Sequence, residues 1–240
     1  VSASVGVVLN TDRYTSPDDL LRDADISMYR SKELGKNQFK VFSKTMYDQI
    51  VQTVQLEQDL RRAIAHDELE LYFQPIFTIA DRTLYGFEGL MRWNHPEQGL
   101  ITPNRFIHIA EEAGLITDLT RWALRQGSRI MAHWNENFST ARNLTISINL
   151  SPRDLAHPNL LGYVSEVLQD TAMGPEQLKL EITETAVMDH PDQAIVKLDR
   201  LKKLGIQLAM DDFGTGYSSL SYLHRFPIDT IKIDRSFVHT

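Results

Sequence analysis

LKKLGIQLAMDDFGTGYSS (residues 201–219) passes from a helix end through an apolar strand into a polar loop. Leu201 and Leu204 close an amphipathic run, and Gly205 supplies the residue that commonly ends a helix. IQLAMDD (206–212) then reads as a strand finishing on two adjacent carboxylates, Asp211 and Asp212, before a loop with two glycines. Buried unpaired charges are expensive. A cation, a basic partner or exposure to solvent at the strand end must therefore neutralise these two.

Outward from that stretch, strand and helix signals alternate from Glu68 onward. Strands are expected at 69–76, 84–93, 144–150, 178–183, 206–212 and 230–234, and the first two form a hairpin across FTIADRT. Helices are expected at 103–112, 117–137, 159–171, 191–204 and 217–225, with Pro103 and Pro191 at first-turn positions. Such alternation gives an α/β chain with a mainly parallel sheet covered by helices. Before it, residues 3–9 and 37–42 read as short strands around a helix capped by Ser16 or Asp18 and ended by Gly35. Leu20, Leu21, Ala24, Met28 and Tyr29 are its expected apolar face. A glycine- and proline-free helix over 44–66, with Met46, Ile50, Val54, Leu56, Leu60 and Ile64 along one side, connects the two regions. Val1 opens directly in a β-like run and Thr240 follows a strand, so the chain is expected to be part of something longer.

The formal charge of −7 disfavours a nucleic-acid polymer as partner, whose binders are basic. The absence of cysteine removes disulfides, thiolate nucleophiles and thiolate metal sites, and fits a reducing, cytoplasmic location. No apolar run has the length of a membrane span, so no membrane contact is expected from this segment.

The polar residues carry the chemistry through their positions. Glu88 falls in the second strand, Asn149 near the end of LTISINL, and Glu181 within LKLEIT. Asp211 and Asp212 end LAMDD, and Lys232 lies within TIKID. Strand carboxyl ends gather on one rim in parallel barrels and doubly wound sheets, where active sites are built. One such acid has an ordinary reading as a cap or surface charge, whereas five strands offering polar groups at similar depth form a set. Four carboxylates and an amide oxygen suit Mg²⁺ or Mn²⁺. Two ions about 3.5–4 Å apart can activate water and hold a phosphoryl oxygen, with Lys232 orienting that water. Two other motifs overlap the loop. Asp212-Phe213-Gly214 spells a kinase DFG without the accompanying kinase motifs. Gly214 to Ser219 approximates a dinucleotide-binding GxGxxG, with Ser219 at the third glycine; an oxidoreductase is the third-ranked reading.

YFQPI, FEGLMRW with NHPEQGLITPNRFI, ISINLS, LEITET, AMDDFGTGYSSLSYL and IKIDRSFV occur in this order. From about Leu69 to the end, the chain resembles the EAL family of cyclic-di-GMP phosphodiesterases. SASVGVV and DLLRDADISMYRSKELGKNQFKVF resemble the tail of a GGDEF (diguanylate cyclase) domain without its signature loop. The resemblance divides the chain into a GGDEF remnant (1–43), a helical linker (44–66) and an EAL domain (67–240). It implies a TIM-like (β/α) barrel that hydrolyses cyclic-di-GMP to linear pGpG in bacterial signalling. Its two metals would be held by Glu88, Asn149, Glu181, Asp211 and Asp212. Lys232 would support the attacking water, Gln74 and Arg92 would contact the cyclic dinucleotide, and Glu184 would anchor the DDFGTGYSS loop that couples the metals to homodimerisation. The family's EAL triplet is Glu88-Gly89-Leu90 here. The family also continues with further strand–helix units that carry another glutamate near the metals and a late glutamine, and residues 67–240 number 174 (240 − 66) against about 250 for a complete barrel. The resemblance therefore implies an incomplete barrel with little turnover of its own. The competing functional reading is an EAL module that binds cyclic-di-GMP or a protein partner as a sensor without turning it over.

Overall fold

The computed structural model describes residues 2–9, 12, 14–215 and 223–238, in two compact units divided between Asp59 and Leu60. In the first unit, β1 (Val5–Val7) pairs in parallel with β2 (Phe39–Val41), and α1 (Pro17–Glu33) connects them. Ser16 caps α1 by accepting from the Asp18 amide, and Gly35 takes a left-handed φ of 106° just beyond its end. The expected apolar face of α1 needs correction. Its buried residues are Asp23, Ser27 and Ser31, whereas Leu21 and Tyr29 are 60% and 51% exposed. The reason is close approach: a Cβ added at Gly6 would lie 2.0 Å from the Ala24 carbonyl oxygen and 2.6 Å from Ser27 Oγ. Only small side chains fit on the helix at that distance. Tyr14 Oη donates to buried Asp23 at 2.6 Å, which compensates the carboxylate. α2 (Lys44–Ala63) follows, three residues shorter than the run 44–66 expected.

In the second unit, β3 (Leu69–Phe77) and β4 (Leu84–His95) form the expected hairpin, and β5 (Gly99–Ile101) folds back on β4. β6 (Thr145–Leu150), β7 (Leu178–Thr183), β8 (Gln207–Phe213) and β9 (Thr230–Ile233) then add in parallel. The sheet order is β3-β4-β6-β7-β8-β9. Between strands run α3 (Pro103–Glu112), α4 (Ile116–Asn137), α5 (Pro152–Ala156), α6 (Leu160–Thr171), α7 (Glu184–Met188) and α8 (Pro191–Lys203). Most of the helix expected over 217–225 lies outside the described residues. Among the described residues, no helix is long and apolar enough to cross a membrane.

Alternation along the strands creates two different layers. Ile146, Ile148 and Leu150, Leu178, Leu180 and Ile182, and Leu208 and Met210 join the buried core with Leu124, Val164 and Leu198 of the helices. Their neighbours Ser147, Asn149, Lys179, Glu181, Ala209 and Asp211 occupy the opposite face. In a flat sheet β4 and β9 would lie four strand spacings apart, about 19 Å. Lys232 Nζ on β9 nevertheless reaches Glu88 Oε2 on β4 at 3.1 Å. The sheet is therefore rolled, with the polar face inward, as in a TIM-like barrel.

α5 and α7 begin directly at the ends of β6 and β7. Ser151 and Asp154 form a reciprocal capping box, and fully buried Asp154 also accepts from Thr120 Oγ1 of α4 at 2.7 Å. Thr183 caps α7. These two strand ends therefore have their backbone polar groups fixed close to the polar face.

Candidate metal centre and substrate cleft

Register aligns the polar residues. Gln74 on β3 stands directly opposite Glu88 on β4, Asn149 opposite Glu181, and Thr183 opposite Asp211. Glu88, Glu181 and Asp211 each place a carboxylate oxygen within 4.8 Å of the others. Asn149 Nδ2 donates to Glu88 Oε1 at 3.1 Å. Lys232 Nζ donates to Glu88 Oε2 and Asp211 Oδ2 at 3.1 Å each and closely to Glu181 Oε2. Three converging carboxylates, with the Asn149 side-chain amide beside Glu88, form a hard donor set that fits a divalent ion.

Burial grades the site. Glu181 is 1% exposed, and burial raises its pKa while nearby Glu88 adds to the rise and Lys232 opposes it. Burial by itself would lower the Lys232 pKa, but Glu181, Glu88 and Asp211 together hold it above its ordinary value. The ammonium therefore stays charged. The Asp212 pKa is raised by burial first and then by the charges of Asp211 and Asp234.

Asp211 and Asp212 do different things because the backbone turns between strand and loop. Asp212 adopts a left-handed φ of 54°, its amide donates to Asp211 Oδ1 at 3.0 Å, and the β8–β9 register shifts between Met210 and Phe213. Asp211 joins the carboxylate cluster. Asp212 lines a neighbouring cleft of about 410 Å³ together with Asn149, Gly89, Met91, Asn104 and Ile107. The left-handed conformation costs a non-glycine residue about 1–2 kcal/mol. Asp212→Gly is therefore expected to raise stability by about 1 kcal/mol, read as a higher urea midpoint. An unchanged or lower midpoint would show that the Asp212 carboxylate compensates for its backbone.

Glu184 is buried and accepts from the Gly214 amide at 2.8 Å, tying the start of α7 to the loop after β8. Arg92 lies four residues beyond Glu88 on the same face of β4, with its guanidinium 5.2 Å from the centre of the Tyr72 ring. Gln74 is exposed on β3. At Gly89 an added Cβ would come 2.9 Å from Ile148 Cδ1, the movable tip of a side chain.

One inward residue escaped the sequence reading. Lys179, 4% exposed, donates to Tyr85 Oη at 3.2 Å and Thr230 Oγ1 at 3.3 Å, and Tyr85 Oη donates to Gln207 Oε1. It precedes Glu181 by two residues on the same face, so the period-2 rule that identifies Glu181 also identifies Lys179.

A family model described as EAL domain matches residues 57–240. An uncharacterized signaling protein of Caulobacter vibrioides is 44% identical over 238 residues, covering 99% of this chain and 29% of its own length. The cyclic di-GMP phosphodiesterase NbdA of Pseudomonas aeruginosa is 40% identical over 238 residues, covering 99% of this chain and 30% of its own. The chain thus spans about a third of the length of these relatives. Among solved structures, the PaMucR phosphodiesterase in complex with c-di-GMP superposes with a TM-score of 0.74 at 40% identity, over 77% of this chain and 74% of that one.

Proposed function

Because the chain belongs to the EAL-domain family, we propose that the protein carrying it hydrolyses cyclic-di-GMP to linear pGpG in bacterial second-messenger signalling. The observation that supports this reading best is the convergence of Glu88, Glu181 and Asp211 from three different strands onto one point. In this reading Glu88, Asn149, Glu181, Asp211 and Asp212 hold Mg²⁺ or Mn²⁺. When bound, such ions supply an activated water and a clamp on the phosphoryl oxygens.

The remaining roles belong to the chain's own groups. Lys232 carries a fixed positive charge beside the carboxylates and would orient the water and offset charge developing on phosphorus. Arg92, positioned over the Tyr72 ring and donating to the Met91 carbonyl, would offer its donor fork to a phosphate. Gln74, opposite Glu88, would contact the same dinucleotide from the hairpin. Glu184 would keep the loop after Asp212 in place through the Gly214 amide. We further propose that this loop mediates a homodimer. Residues 1–43 are read as a GGDEF-derived remnant, 44–66 as linker and 67–240 as EAL domain, in a cytoplasmic setting. The parallel β1-α1-β2 unit supports the first of these assignments.

The test is incubation of the protein that carries this chain with cyclic-di-GMP and Mg²⁺ or Mn²⁺, followed by nucleotide chromatography. Linear pGpG should appear with either metal and not with excess EDTA. Tight binding without product would place the protein among sensors. Neither binding nor product would sink the assignment.

A further inference from the structure

The carboxylates proposed to hold metal already share a cation, the ammonium of Lys232. All three contacts go to carboxylate oxygens, Glu88 Oε2, Glu181 Oε2 and Asp211 Oδ2. Glu181 is almost completely buried, so its charge needs compensation inside the fold. A divalent ion and an ammonium cannot occupy one position among the same oxygens. We propose that Lys232 serves as an internal counter-cation that a divalent ion displaces from Glu88, Glu181 and Asp211.

This inference rests on the metal reading of the cluster and adds a competition to it. Several features make displacement feasible. The Lys232 side chain is 29% exposed, so the ammonium has a route towards solvent. Its stem is flexible, with rotatable bonds that can swing the charge aside while β9 stays paired. Ion entry then exchanges one compensating charge for another, and part of the metal's binding free energy goes into releasing the lysine. Once released, the ammonium remains next to the ion-bound carboxylates, where a water-orienting group is needed.

The competition is tested by binding. Lys232→Met keeps the side-chain length and removes the charge. Free Mn²⁺ measured by electron paramagnetic resonance should report tighter binding to the variant, by about tenfold or more, the scale of one close charge interaction at a partly exposed site. Without metal the variant should melt lower than the parent, and its gain in Tm on adding Mn²⁺ should be larger. If Lys232→Met does not fold, the parent chain still gives an answer. Acylation of lysines by an N-hydroxysuccinimide ester, mapped by mass spectrometry, should increase at Lys232 when Mn²⁺ is added. Lys202, paired with Asp229 at 2.8 Å, is the internal reference. Equal or weaker Mn²⁺ affinity in a folded variant, or unchanged labelling of Lys232, overturns the displacement. Absence of Mn²⁺ binding by both chains overturns the metal reading beneath it instead.

Discussion

Glu88→Ala is expected to reduce cyclic-di-GMP turnover by about a hundred- to a thousandfold or more while leaving the fold intact. Glu88 offers one oxygen to Lys232 and the other to Asn149, so its loss removes one donor and releases a second, the Asn149 amide. The fold should survive because Glu88 is half-buried and the residues flanking it on β4 pair with β3 and β6. Lys232 also retains Glu181 and Asp211 as partners. Circular dichroism should therefore match the parent while product formation at saturating Mg²⁺ or Mn²⁺ disappears. Glu88→Gln separates charge from shape: it keeps the contact with Asn149 but weakens the cation site, so turnover should remain low. A Glu88→Ala protein with a tenth or more of the parent rate would remove this residue from the metal centre.

Trp93→Ala is expected to cost about 3–5 kcal/mol of stability, a large share of the 5–15 kcal/mol typical of a domain. Trp93 is fully buried on β4, its Nε1 donates to Glu68 Oε2 at 3.0 Å, and it meets the Phe106 ring edge-on at 6.0 Å between centroids. His95 packs against it at 5.0 Å, and His95 Nδ1 accepts from the Glu97 and Gln98 amides in the turn before β5. One substitution thus opens a cavity, strands the Glu68 carboxylate and loosens the β4–β5 hairpin. Urea unfolding should give a much lower midpoint with a similar slope, and Trp93→Phe should recover part of the loss. A shift below about 1 kcal/mol would mean that the neighbouring side chains collapse into the space.

The positions of the inward polar residues were legible in the sequence to different degrees, for physical reasons. Glu88, Asn149, Glu181 and Asp211 could be read because period 2 is rigid in strands and a polar residue stands out in an apolar run. Their convergence with Lys232 required the rolling of the sheet, since β4 and β9 are distant in both sequence and strand order. The α1 face was misread because hydrophobic periodicity carries no information about Gly6, which brings the helix too close for large side chains. The left-handed turn at Asp212 was hidden because an aspartate before Phe213 fits a strand end equally well. Lys179 does not stand out in the sequence because most lysines lie on the surface. α5 and α7 are each five residues long, too short for helical periodicity to register.

Lys179 has a consequence for the interior as a whole. Its ammonium contacts hydroxyl groups, with no acidic partner among the described residues, and it lies one pleat below a layer where three carboxylates share one ammonium. The lumen is therefore polarised along its axis, positive towards the amino ends of the strands and negative towards their carboxyl ends. A small cation would be attracted at the carboxyl rim by Glu88, Glu181 and Asp211, and at the floor it would meet the charge of Lys179. On the metal reading proposed above, the rolled sheet would give ions a direction of entry as well as a place to stop.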